Sequence, residues 1–296
     1  MNLSADDIYK IKNRLLAYSP NLKESLLLLV YIVVGIGILA FITGFVTAGI
    51  RRIADIATPE AWRGPLSVLQ HAIVYVVIIN RLGKHSNYVP ISPPRQSPLL
   101  CLFFVLFVLS ITMATEPLRI WMVRLVPMPD LMKQFEAVYF RNNLSAFIIV
   151  VIGLPILNEW LYRGIILKGL LTHYSPFKAI MWSAALFSVM CLPWSALEMF
   201  CFALMIGWVY WQTKSLRYCM LMHMVSSAAV FFARLFFIRF FKLSSTDVIM
   251  IADIVGGYYI YPVALLVCAL AIIGIKKIIV PYDATSDVRN RQEVNV

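Results

Sequence analysis

Charge is what this sequence has least of: Asp, Glu, Lys and Arg make up 14% of its 296 residues, against about 25% in soluble domains. With 61% apolar residues and a mean hydropathy of +0.80, the chain is excluded from the soluble globular class. Acids are scarcer than bases, 15 Asp and Glu against 26 Lys and Arg, which gives a net charge of +11. Those cations are neither clustered nor interleaved with an aromatic platform, as a nucleic-acid surface would require. They read as anchors at the ends of apolar runs, and no nucleic acid is expected as a partner. Cysteine in metal or redox spacing is missing too. The five cysteines, Cys101, Cys191, Cys201, Cys219 and Cys268, fall in or beside apolar segments with no C-x-x-C, as small packing residues do. No metal and no cofactor is expected. A cleavable signal peptide is not expected either, because the first 25 residues are polar and mixed in charge and the apolar run after them far exceeds a signal core. Also missing are an internal repeat and paired Gly/Pro-broken helices in matching halves, the marks of many transporters.

What is there is a series of long apolar runs, which specifies an all-α polytopic membrane protein of about eight transmembrane helices. Leu26 to Ile50 carries no charge and is closed by Arg51 and Arg52, enough to cross about 30 Å of hydrocarbon. Pro65 to Ile79 is a weaker second span containing Gln70 and His71, and Leu99 to Ala114 is the third. Leu144 to Leu170, Lys178 to Leu192, Ala196 to Trp211, Leu216 to Phe237 and Tyr259 to Val280 follow. Between spans three and four, Glu116 to Asn143 mixes Arg119, Arg124, Lys133 and Arg141 with apolar and aromatic residues, and Pro127 and Pro129 divide it. That composition predicts two amphipathic helices lying in the interface. The stretch from Asp6 to Tyr18 predicts a short surface helix, and a disordered tail is expected from about Thr285. The organisation expected is a tail (1–25), an N-terminal group of membrane and interfacial helices (26–143), a closely spaced core (144–241), and a last span with a polar tail (242–296). Eight spans put both termini on one side, and the excess of Lys and Arg there points to the cytosol.

Ionisable groups deep in such a chain carry information, since each costs roughly 2.5 to 3.5 kcal/mol at the centre of a spanning helix. In LNEWLYRGIIL, Glu159 and Arg163 lie four apart, the acid first, so they share one helix face in the favourable order. A self-neutralising salt bridge explains them as well as an active site does. Two later helices also carry pairs at one-turn spacing: Phe187 with Cys191, and His223 with Ser227 beside Ser226. Taken singly, His223 could be a core histidine bonded to a carbonyl, the serines small packing residues, and Cys191 a buried apolar side chain.

Their order along the chain is more specific. NEWLYRG, then FSVMC, then HMVSS, the last led in by GWVYWQTKSLRYCMLMH, resembles the CAAX protease and bacteriocin-processing family of intramembrane endopeptidases, also called the Abi family. Its pattern is E-E-x-x-x-R, F-x-x-x-H and H-x-x-x-N, and the resemblance covers Leu144 to Phe241. It implies a CAAX-protease-like helical bundle in the bacterial inner (plasma) membrane, and a membrane protein or peptide as substrate. In the family, the first Glu and the second-block His activate a water, the third-block His and Asn hold the oxyanion, and the Arg orients the acids. Carried over by position, Glu159, Arg163, Phe187 and His223 are retained, while the first Glu is Asn158, the second-block His is Cys191 and the third-block Asn is Ser227. An amide cannot take a proton near neutral pH, and a thiol is a poor stand-in for imidazole. Glu159 is displaced about 100° around the helix from Asn158. The resemblance therefore implies either a binding protein with reduced or no cleavage, or an endopeptidase with a rewired site. In the latter, the base would be Glu159 or Glu198, or Cys191 would be the nucleophile with His223 as its base. A small-molecule or ion carrier is a third, minor alternative.

Overall fold

A computed structural model describes residues 20–54, 63–83, 98–126, 129, 144–191, 193–241 and 257–279. The surface helix expected at Asp6 to Tyr18, the interfacial pieces after Pro127 and the tail from Thr285 lie outside the described residues. Eight helices are described, in an all-α arrangement: α1 (Leu22–Ala54), α2 (Arg63–Gly83), α3 (Pro98–Leu125), a composite α4 running from Leu144–Phe147 to Lys168–His173, α5 (Pro176–Val189), α6 (Ala196–Thr213), α7 (Leu216–Phe241) and α8 (Ile260–Ile278). Six of them are long and apolar enough to cross a membrane, and α5 and the Leu69–Ile78 part of α2 are shorter apolar pieces. The protein is a multi-pass integral membrane protein.

Local chemistry marks several of the helix ends. Asn21 and Glu24 form a reciprocal cap at the start of α1, each side chain accepting the other's backbone N–H, at 3.0 and 2.9 Å. Pro176 opens α5, where its missing N–H costs nothing. Lys214, the left-handed residue after α6 (φ 51°), ends that helix. Only Lys214 and Ser215 separate α6 from α7, so the two helices must run antiparallel.

Two boundaries differ from expectation. The third span does not stop at Ala114 but continues through Pro117 to Leu125, so Glu116 and Arg119 belong to a membrane helix and not to an interfacial one. The reason is tertiary: Tyr261 Oη donates to Glu116 (3.1 Å), and Arg119 lies 3.7 Å from Glu198. Charges with partners on α6 and α8 need not leave the bundle. The fifth span is shorter than expected, 14 residues or about 21 Å, which leaves Cys191 in the turn before Pro193.

The direction of each helix follows from pairs of contacts. On α3, Phe104 meets Tyr218 and Thr112 meets Ser226, so α3 and α7 are parallel. Phe107 with Trp208 and Arg119 with Glu198 make α6 antiparallel to α3. Gly274 against Phe103 and Tyr261 against Glu116 do the same for α8. Glu159 with His223 and Phe147 with Phe231 set α4 antiparallel to α7. Pro20, just before α1, packs on Gly169 near the end of α4. Pro20 and Ile279 therefore lie at the same end of the bundle, and the turn around Cys191 lies at the other. The core between the helices is close-packed, with Phe104, Phe107, Leu161, Ile166, Ile206 and Met222 fully buried. Phe41 and Phe45 on α1 are three-quarters exposed and face lipid.

Candidate functional site

Helix α4 is not a regular α-helix. Its Ile148–Gly153 and Trp160–Leu167 stretches have wide π turns, with Leu154–Glu159 between them in α form. Pro155 sits where the first π stretch hands over to α, and its missing N–H removes the bond a regular helix would make there. Wide turns of this kind occur often at functional sites. Here they flank Asn158 and Glu159.

The structure brings Glu159, Arg163 and His223 together. Glu159 Oε1 accepts from Arg163 Nη1 at 2.9 Å and lies 2.7 Å from His223 Nδ1. Arg163 Nη2 donates to the Ala203 carbonyl of α6 at 3.0 Å, and the guanidinium lies 5.2 Å from the centre of the Phe187 ring. Three helices besides α4 thus hold one ion pair. Glu159 and Arg163 are 0% and 1% exposed, so this charge is deeply buried while the His223 side chain keeps 12%. Among the described residues, Glu159 Oε2 and Arg163 Nε have no hydrogen-bond partner.

Phe187 acts as the wall of this centre. Its ring meets Tyr162 edge-on at 4.9 Å and His223 at 6.1 Å, and Phe202 packs on the other side of His223 at 5.1 Å. Between two aromatic edges, and tethered through Nδ1, the imidazole has little rotational freedom.

The other three motif positions are not drawn into the network. Asn158 is partly exposed and rotated about 100° from its buried neighbour. Cys191 is partly exposed, and its thiol donates to the Phe187 carbonyl at 3.4 Å. No hydrogen bond joins Cys191 to His223 among the described residues. Ser227 is partly exposed, whereas its neighbour Ser226 shares a 2.8 Å hydrogen bond with Thr112 of α3. Asn158, Cys191 and Ser227 are each partly open around a buried Glu–Arg–His centre.

Deep polar groups are not confined to α4, α5 and α7, the helices that carry the motif residues. Helix α3 adds Thr112 and Glu116, and α6 adds Glu198, both acids being more than nine-tenths buried. Glu198 faces Arg119, not Glu159. The signal for Thr112 and Glu116 was present in the sequence as polar residues next to an apolar run. The Ala203 carbonyl had no signal at all, since any residue supplies one.

The class defined so far is a multi-pass helical membrane protein with a buried carboxylate, guanidinium and imidazole at its core. Residues 140–229 match the model of a family described as Rce1-like, type II CAAX prenyl endopeptidase, and over that segment, less than a third of its length, the chain is similar to this family. The match takes in α4, α5, α6 and the first half of α7, leaving α1 to α3 and α8 outside it. No curated protein and no solved structure matches the chain.

Proposed function

We propose that this protein binds a membrane protein or peptide in the family's substrate cavity and cleaves it weakly or not at all. The observation that carries the reading is the burial of Glu159: it is fully enclosed, with Oε1 shared between Arg163 and His223. A carboxylate held in that way serves as the counter-charge of an arginine, and a general base needs a path to water. The partly exposed position beside it is Asn158, and an amide cannot accept the proton. His223 is engaged in the same way, since its Nδ1 is taken up by Glu159 at 2.7 Å. In this reading the membrane is a bacterial inner membrane, as the family resemblance implies, and the termini are cytosolic, which the basic bias of the terminal side supports.

A second reading is supported by the 2.7 Å contact between Glu159 and His223, a carboxylate–imidazole pair of the kind that orients catalytic histidines. In that reading the protein is an active endopeptidase. The version with Cys191 as nucleophile draws less support, because its thiol is turned to the Phe187 carbonyl.

Restoring both missing groups separates the two. Asn158→Glu with Cys191→His is expected to create or raise cleavage of a membrane-anchored reporter peptide by a hundredfold or more, on the order of what one positioned acid–base group supplies. Either change alone is expected to do little, because such groups act as a unit. Strong cleavage by the unmodified protein that survives Cys191→Ala and disappears in Glu159→Gln would instead establish the second reading.

A further inference from the structure

Away from the Glu159 centre, a groove of about 810 Å³ opens between the start of α1 and the end of α4. It is amphipathic along its length. Lys23, His173 and Tyr174 line its polar end, and Leu26, Leu27 and Val30 form an apolar wall running up α1. That wall is about half exposed, and it lies within a span that is apolar enough to sit in hydrocarbon. The polar end is therefore at the level of lipid headgroups and the wall at the level of acyl chains.

Its charge has one sign. Glu24 is the nearest acid in sequence, and its carboxylate is turned back onto the Asn21 N–H as the helix cap. Lys23 is exposed and makes no ion pair among the described residues. Beside it, His173 and Tyr174 stand edge to face at 6.4 Å, offering further polar edges. The groove is also built in: Gly169 has no Cβ, and Pro20 fills the space one would occupy, which pins the start of α1 against the end of α4. A cationic, hydrogen-bonding end continuous with a lipid-depth apolar wall is complementary to one ligand class.

We infer that this groove is a binding site for an anionic phospholipid, whose phosphate is held by Lys23 with His173 and Tyr174 while an acyl chain lies along Leu26, Leu27 and Val30. Basic pockets at the end of spanning helices hold anionic headgroups by the same attraction that makes each Lys near the surface favourable. Because the groove ends on the same helix that carries Glu159 and Arg163, an occupying lipid also steadies α4.

The test uses the full-length protein purified in detergent, with native mass spectrometry and thermal melting as readouts. Phosphatidylglycerol is expected to be retained and to raise the melting temperature, with phosphatidylcholine doing less. Lys23→Glu should weaken phosphatidylglycerol retention roughly tenfold without changing the melting temperature of the lipid-free protein, since Lys23 is exposed. A benzophenone amino acid in place of Leu27, activated in phosphatidylglycerol vesicles, should yield an adduct of lipid mass. Equal retention of both lipids, or an unchanged Lys23→Glu variant, overturns the inference. So does an adduct to residues 1–19 or to a second copy of the chain, and so does a glycerol phosphate response equal to that of the whole lipid.

Discussion

Arg163 ties α4 to α5 and α6. Its guanidinium pairs with Glu159, donates to the Ala203 carbonyl and faces the Phe187 ring. Removing one member of a buried pair leaves the other charged and unpaired, at a cost of roughly 3 to 5 kcal/mol. Arg163→Ala is therefore expected to lower both the yield of folded protein and its melting temperature in detergent; unchanged values would show that Glu159 finds another partner. Replacing both partners, Glu159→Gln with Arg163→Met, should cost less than the two single changes added together, because no charge is then left behind. A double-mutant cycle on melting temperature measures that coupling. The i, i+4 pairing was legible in the sequence, since the spacing alone puts both on one face. The third member was legible only through the order of the motifs, because 64 residues separate Glu159 from His223 and no local rule links them.

At the scale of elements, α3 does more than the sequence indicated. It lies parallel to α7, antiparallel to α6 and α8, and supplies Thr112 to Ser226 and Arg119 to Glu198. Its approach to α8 depends on Gly274, where a Cβ would fall within the Phe103 ring. Gly274→Leu should separate α8 from α3 and destabilise the fold by about 1 to 3 kcal/mol, the usual penalty for overpacking, visible as a lowered melting temperature. Gly37 on α1 has nothing near it, and Gly37→Leu should leave the melting temperature nearly unchanged. The third span was misjudged at its end because Glu116 and Arg119 look like a membrane boundary when read locally. Their pairing with Tyr261 and Glu198 is a property of three helices together.

For the whole molecule, the alternating helix directions make a topological statement. Ser175, between α4 and α5, and Lys214, between α6 and α7, belong to the end that holds Pro20; Val126, after α3, belongs to the opposite end. Single cysteines placed at 175 and 214 in a cysteine-free background should label with a membrane-impermeant thiol reagent from one side, and a cysteine at 126 from the other. Labelling of 126 and 175 from the same side would break the eight-pass arrangement. The ends of the bundle also differ in what they hold. The partly exposed motif positions lie on the side of Glu159 toward the Cys191 turn, whereas the groove beside Lys23 lies at the end that holds Pro20.

The sequence by itself determined the class, the eight helices and the family segment, because hydropathy is a sum over neighbours in the chain and the motif spacing places side chains on single helix faces. That an amide stands at 158 and a thiol at 191 is likewise a fact of the sequence. Only the tertiary structure decided which carboxylate lies at the centre. Glu159 turns inward because Arg163, His223 and the Ala203 carbonyl arrive from α4, α7 and α6 to hold one buried ion pair. A buried charge settles where partners from several helices converge, and that convergence is a property of packing that no stretch of the chain contains.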